Sequence, residues 1–148
     1  MSIYNRILVA TDFSDINLSA AKRAVRLAKL DNCELVILHV IEHFPMGDAP
    51  LASVFQSYSQ AQDAMTRHAR TRLDELKSKL DYEQIKTELR ISSKSARSEI
   101  LSFAEAHDVD LIVVAPHGQG IIGSLGSTAT GIINNAACDV LAVRDSEA

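Results

Sequence analysis

Hydrophobic and polar residues follow two alternating periods along this chain. Apolar runs at 7–10, 35–40, 110–115 and 140–143 are typical of strands, and alternation at 85–91 predicts a further strand at a sheet edge. Between these runs, apolar residues recur at helical spacing. The helical stripes comprise Leu18, Ala21, Val25 and Ala28; Tyr58, Ala61, Met65, Leu73, Leu76 and Leu80; Ala96, Ile100, Phe103 and Ala104; and Ala129, Ile132, Ile133 and Ala136. The pattern therefore predicts five strands and four helices.

The order of these segments, βαβ–loop–αβαβαβ, indicates an α/β fold. Right-handed crossovers then build a doubly wound, five-stranded parallel sheet with helices on both faces. A length of 148 residues fits a single domain over 1–148. Ligands of such sheets bind beyond the carboxyl ends of the strands. The loops after strands 7–10 and 110–115 are expected to open onto one crevice if those strands are neighbours.

The segment after the fourth strand carries the most specific chemistry. Residues 111–131 read LIVVAPHGQGIIGSLGSTATG, so an apolar strand leads into four glycines and then into a helix. Glycines let backbone amides approach an anion closely, and the free amides and dipole of a helix start add positive potential. The hydroxyls of Ser127 and Thr128 are predicted to cap this helix. The segment is therefore predicted to bind phosphate.

Three known motifs do not fit this loop. Gly118, Gly120 and Gly123 spell the dinucleotide fingerprint G-x-G-x-x-G, but that motif needs a complete βαβ unit, and only one helix and one short strand follow. A P-loop is excluded because no lysine follows the glycines. The serines near Gly123 and Gly126 do not form the G-x-S-x-G of an α/β-hydrolase.

Composition narrows the functional class. The chain has 15 basic and 19 acidic side chains without a basic cluster, so nucleic-acid binding is not expected. No apolar window approaches the ~18 residues of a membrane span, and no signal segment is evident. We expect a soluble cytoplasmic protein. Cys33, placed inside a strand, and Cys138, just before another, are expected to be buried free thiols without metal-ligand spacing.

Several short motifs, each weak alone, are specific in combination. They are Thr11-Asp12-Phe13-Ser14 after the first strand, Leu38-His39-Val40 at the end of the second, Asp110-Leu-Ile-Val-Val leading into Pro116-His117-Gly118, Leu125-Gly126-Ser127-Thr128-Ala129, and CDVLAVR at 138–144. With these motifs the whole chain resembles the universal stress protein family of small UspA-like α/β proteins.

The resemblance implies strand order 3-2-1-4-5 and a homodimer formed through the last strand, which here includes Val140 and Val143. In members that bind ATP, the acid after strand one contacts the adenine and ribose, backbone at the end of strand two contacts adenine, and G-x2-G-x9-G-[ST] holds ribose and phosphates. By position, Asp12 matches the acid after strand one, and Val40 matches the backbone at the end of strand two. The last part of the glycine pattern is matched by Gly118, Gly126 and Ser127.

The chain departs from this nucleotide pattern at two points. Ala115 stands where the first glycine is expected, and seven residues, not nine, separate Gly118 from Gly126. Gly120 and Gly123 offer a different path around phosphates. Members related to the founding type lack the glycine pattern and are not thought to hold ATP. The presence of Asp12 and of Gly126-Ser127, with Thr128 next to them, favours ATP binding here. Where Mg²⁺ is also bound, it is expected with the phosphates.

Other interpretations of single residues stay open. Asp12 at a helix start is equally suited to accept hydrogen bonds from helix amides. His117 would contact a phosphate or sugar, although a lone loop histidine is usually solvated, and His39 is expected to be structural. Three functional classes remain: an adenine-nucleotide-binding regulatory protein, a nucleotide-free stress dimer acting through contacts with unknown proteins, and, as the weakest, a slow ATPase. A non-enzymatic role is favoured because the sequence assigns neither a Lys/Arg clamp nor an acid pair for Mg²⁺.

Overall fold

The computed structural model describes residues 2–42, 52–116 and 126–144, with the backbone alone at 52–56. Strands and helices alternate throughout, as the hydrophobic pattern predicts. The elements are β1 (Arg6–Ala10), α1 (Asp15–Asp31), β2 (Glu34–Glu42), α2 (Ala52–Lys79), β3 (Ile85–Ser92), α3 (Ala96–Ala106), β4 (Leu111–Val114), α4 (Ser127–Asn135) and β5 (Asp139–Ala142). No helix among these described residues is long and apolar enough to span a membrane.

All strand pairs in the sheet are parallel, and their order is β3-β2-β1-β4-β5. This order confirms the implied 3-2-1-4-5 arrangement and places β3 at an edge, as its alternating pattern predicts. The central strands β1 and β4 are paired in the register Ile7 with Leu111 and Val9 with Val113. Because the chain order reverses between them, their carboxyl ends border the crevice in which such folds bind ligands.

Helices cover both faces of the sheet and produce two core clusters. Ile7 and Val9 of β1 point to the face covered by α1 and α2, whereas Leu8 points to the face covered by α3 and α4. This alternation follows from the two-residue period of a strand. All three side chains are fully buried, which explains why β1 is apolar from Ile7 onwards and β4 throughout.

The first half of α2 corrects the predicted buried stripe. Leu73 and Leu76 are buried as expected, but Ala61 is exposed and Met65 is 46% exposed. The helix has 28 residues, or about 42 Å at a rise of ~1.5 Å per residue, whereas the nine residues of β2 span about 30 Å. The sheet is shorter than the helix, and among the α2 side chains described from residue 57 onwards the first buried one is Ala69.

Three smaller predictions also need correction. Ile133 is 42% exposed because α4 packs mainly on α3 and β5 and is open on its other side. Cys33 lies just before β2 instead of within it, and Cys138 is only half-buried, although both are free thiols as predicted and burial raises the pKa of each. The last strand runs over Asp139–Ala142, and Val143 beyond it is buried, with its N–H donating to the Val114 carbonyl at 2.8 Å.

Candidate functional site

A cavity of about 430 Å³ lies at the carboxyl edge of the sheet, on the face covered by α3 and α4. Its volume falls within the roughly 300–1,000 Å³ of small-molecule pockets. Its floor is formed by the ends of β1, β2 and β4, and its walls by the first turns of α3 and α4. The cavity therefore occupies the crevice that the strand order predicts.

Six of the predicted site residues line this cavity. They are Asp12, Val40, Ala115, Gly126, Ser127 and Thr128. The other two, His117 and Gly118, lie outside the described residues, as do Gly120 and Gly123. The structure thus brings together residues that are more than a hundred positions apart in the sequence, because β1 and β4 are adjacent.

Asp12 is exposed, and the loop between β1 and α1 orients it through two hydrogen bonds. Its Oδ1 accepts a hydrogen bond from the Ser14 amide at 2.9 Å, and its own amide donates to Asn17 Oδ1 at 2.9 Å. The helix itself begins at Asp15 with Ser14 as its N-cap, so Asp12 braces the loop before the helix and does not cap the first helical amides. Among the residues that the structure describes, none donates a hydrogen bond to the second carboxylate oxygen of Asp12, Oδ2, which can accept one from a ligand.

The start of α4 presents backbone amides to the cavity. Gly126 is the N-cap in an extended conformation, without a side-chain cap. The prediction that the Ser127 and Thr128 hydroxyls cap this helix is wrong, because a residue without a side chain holds the cap position. Within the described part of the chain, the amides of Ser127, Thr128 and Ala129 have no acceptor. Free amides and the positive end of the helix dipole form an anion-binding arrangement.

The base of the glycine loop is closed by the backbone. The Gly126 amide donates a hydrogen bond to the Pro116 carbonyl, so the two ends of the segment 117–125 are held together. Ala115 precedes this closure and lines the cavity, while its side chain packs against the core cluster on the α1/α2 face of the sheet. Of the two departures from the nucleotide pattern, Ala115 thus lies at the cavity, and the shortened spacing falls on residues 117–125, outside the described part of the chain.

Several lining residues were missed or assigned only a structural role by sequence reasoning. His39 lies at the cavity, with Nδ1 2.7 Å from the Thr11 carbonyl oxygen and its ring 4.5 Å from that of Phe13. Asn17 is buried in the first turn of α1, where a polar residue on an inward position is unusual. That inward polar position was the signal that the sequence offered for Asn17.

Glu42 adds a second carboxylate to the cavity. Its Oε1 accepts a hydrogen bond from the Ala96 amide at 3.2 Å, and so satisfies one free amide at the start of α3. Among the lining residues that the structure describes there are two carboxylates, Asp12 and Glu42, and no lysine or arginine. The described residues also hold no group of three or more His, Cys, Asp or Glu placed to bind a metal ion.

Comparison with known proteins identifies relatives over nearly the whole chain. The model of the universal stress protein family matches residues 3–144. Universal stress protein A homolog 1 of Coxiella burnetii is 35% identical over 143 residues, which cover 95% of this chain and 96% of that protein. The homolog of Haemophilus influenzae is 30% identical over 142 residues, with 95% and 96% covered.

Solved structures share the same architecture. UspA of Lactobacillus plantarum is 26% identical, with a TM-score of 0.76 over 95% of this chain and 98% of that one. A universal stress protein in complex with cAMP is 24% identical, with a TM-score of 0.60 over 95% and 96%. A universal stress protein of Archaeoglobus fulgidus in complex with dAMP is 21% identical, with a TM-score of 0.61 over 95% and 98%. The last two likenesses show the fold.

Proposed function

Because this chain belongs to the universal stress protein family, we propose that it is a regulatory protein of the stress response that binds an adenine nucleotide, with ATP as the physiological ligand. The observation that carries the proposal is the cavity of about 430 Å³ that joins Asp12, Val40 and the amino end of α4. Two proteins of this fold, solved with cAMP and with dAMP, give the proposal its ligand class.

The described residues suit the parts of a nucleotide in turn. Val40, at the apolar end of β2, would contact the base through its backbone, and the free oxygen of Asp12 would accept hydrogen bonds from ribose hydroxyls. The free amides of Ser127 and Thr128 would bind phosphate oxygens. Binding would order the segment that follows Pro116 and so change the surface offered to partner proteins.

The same residues favour regulation over catalysis. Phosphoryl transfer depends on cationic and metal groups that stabilise the charge of the transition state. Mg²⁺ usually binds one or two carboxylates together with substrate phosphates; here Asp12 and Glu42 are the carboxylates at the cavity. Mg²⁺ would therefore enter with the nucleotide and shield its phosphates. The chain's own part is to bind and orient the ligand.

A nucleotide-free dimer that acts through protein contacts is the second candidate. Two carboxylates, Asp12 and Glu42, line the cavity and oppose the entry of a phosphate. This feature favours a protein whose cavity does not hold ATP. The location of either form would be the cytoplasm.

Calorimetric titration with adenosine, AMP and ATP tests the proposal. The wild type is expected to bind all three, and Asp12→Ala to lose about tenfold or more in affinity, since a hydrogen bond to a charged group contributes about 1.5–3 kcal/mol. Asp63→Ala, an exposed carboxylate on α2, is the matched control and should bind as the wild type does. An absence of heat at millimolar ATP would favour the second candidate.

A further inference from the structure

Arg97 and Gly131 form an unusual contact between α3 and α4. A Cβ added at Gly131 would lie 2.0 Å from Arg97 Cδ, 2.8 Å from Nη1 and 3.0 Å from Nε. Cδ lies in the middle of the arginine stem, so the side chain occupies the space that any larger residue at 131 would fill. Glycine inside a helix is destabilising relative to alanine. Glycine at position 131 therefore makes α4 less stable than alanine would, and it leaves open the space that the Arg97 side chain occupies.

The guanidinium of Arg97 has no counter-ion within the part of the chain that the structure describes. Three other arginines have partners: Arg6 pairs with Glu34, Arg90 with Glu88, and Arg72 lies over the Phe13 ring. Arg97 takes part in none of the ion pairs, hydrogen bonds or ring contacts among these residues, and it is exposed. The contact with Gly131 thus fixes the stem and leaves the charged group free to bind an anion.

Arg97 lies next to residues that line the cavity at the amino ends of α3 and α4. Ala96, the residue before Arg97, lines the cavity, and so does Thr128, which precedes Gly131 by three residues. Residues three apart share one face of a helix. At ~1.5 Å per residue, Gly131, against which the Arg97 side chain packs, lies about 4.5 Å along the helix axis from Thr128.

The cavity needs a positive charge that its lining does not supply. Asp12 and Glu42 are its charged lining residues in the described part of the chain, and both would repel a phosphate. A guanidinium offers a fork of N–H donors that matches two phosphate oxygens, and such charge-assisted pairs are stronger than neutral hydrogen bonds. We propose that Arg97 binds the phosphate of the ligand and thereby selects nucleotides over nucleosides. This inference rests on the proposed nucleotide-binding function.

Calorimetric titration of Arg97→Gln with adenosine, AMP and ATP tests this role, because the three ligands share a base and ribose and differ in phosphate. AMP and ATP are expected to lose about tenfold or more in affinity, while adenosine binds as it does to the wild type. The matched control is Arg26→Gln, which removes the same charge from an exposed position of α1 on the opposite face of the sheet. It should leave all three affinities unchanged.

A second variant keeps the charge of Arg97 but displaces its side chain. Gly131→Ala places a methyl group where the Arg97 stem lies, so it should also weaken AMP and ATP while leaving adenosine unaffected. Equal affinities of wild type and Arg97→Gln for AMP, or an equal loss for AMP and adenosine, would overturn the role of Arg97 while leaving nucleotide binding intact. If the wild type binds none of the three ligands, the proposed function itself fails, and the role of Arg97 with it.

Discussion

At the scale of single residues, the site is shaped by the loop that joins β1 to α1. Phe13 in this loop has a φ of 69°, the left-handed region that bulky residues avoid. Its ring is held between the guanidinium of Arg72, 4.5 Å from the ring centroid, and the ring of His39, at a centroid distance of 4.5 Å. The ring contacts offset the backbone strain, and the strained residue directly follows Asp12 at the cavity.

The strain at Phe13 predicts that its glycine variant is more stable than its alanine variant, which is the reverse of the usual order. Both Phe13→Ala and Phe13→Gly lose the ring contacts, but only glycine removes the strain of a positive φ. Phe13→Gly should therefore be more stable than Phe13→Ala by about 1 kcal/mol in urea unfolding. The usual order, with alanine the more stable, would show that the strain at Phe13 is absent.

Glu34 predicts a pH-dependent contribution to stability. Its carboxylate lies 2.9 Å from Lys86 Nζ and accepts a hydrogen bond from Arg6 Nε at 2.8 Å. The hydrogen bond from Lys86, together with Arg6, lowers the pKa of Glu34, while burial opposes this shift. A lowered folded-state pKa stabilises the fold above the unfolded pKa of ~4.3, and this stabilisation is lost as the pH falls through the folded value.

Replacing Glu34 with glutamine should lower the free energy of unfolding by about 0.5–1 kcal/mol at neutral pH, since its partners are largely exposed and the pair is screened. In acid, where the carboxyl is protonated in both states, the difference from wild type should disappear. Denaturant unfolding at several pH values measures this difference in the free energy of unfolding. The control is Glu83→Gln, which changes an exposed residue. A difference that persists in acid would mean that glutamine disturbs packing instead.

At the scale of secondary-structure elements, the hydrophobic pattern predicted the existence and type of each element, but it did not predict how much of each is covered. Leu73 and Met65 belong to the same sequence stripe on α2, yet Leu73 is 2% exposed and Met65 46%. The difference depends on which part of α2 packs against β2 and β3, and periodicity within one helix does not contain that information. At α4, the serine and threonine suggested a cap, but the chain turns one residue earlier, at Gly126.

Truncating side chains on α2 tests this contrast between the exposed Met65 and the buried Leu73. Leu73→Ala should cost about 2–4 kcal/mol, because it leaves a cavity in the core under α2. Met65→Ala on the same helix should change stability by less than about 0.5 kcal/mol. Urea unfolding of both variants measures the contrast, and similar losses at the two positions would show that the first half of α2 is covered in solution.

At the scale of the whole molecule, strand alternation was sufficient to predict a doubly wound parallel sheet, because few topologies satisfy the crossover rules. The strand order came from the resemblance to a family, not from periodicity. The order then placed Asp12 and Ser127 at one cavity. Asn17 was missed although its inward polar position was a signal in the sequence, whereas Glu42 and Arg97 escaped prediction because their positions depend on contacts between elements that are distant in sequence.

The free edge at β5 predicts a homodimer. Val140, Leu141 and Ala142 are half-buried there, and exposed sheet edges pair with second copies. Light scattering should give twice the chain mass of 16.1 kDa, and Val140→Lys should shift the protein towards monomer. Val143→Lys is unsuitable, because Val143 is 2% exposed and lysine there would disrupt the core. Ser78→Lys on α2 is the charge control, and a monomeric wild type at micromolar concentration would contradict the dimer.

The central claim is that the cavity at the carboxyl edge of β1 and β4 holds an adenine nucleotide. Mass spectrometry of the small molecules released from protein purified without added ligand tests it most directly. The account predicts near-stoichiometric adenine nucleotide in the wild type and its loss in Asp12→Ala, because the carboxylate that would contact the ribose is gone. Wild-type protein that releases no nucleotide, and takes up none after incubation with millimolar ATP, would contradict it.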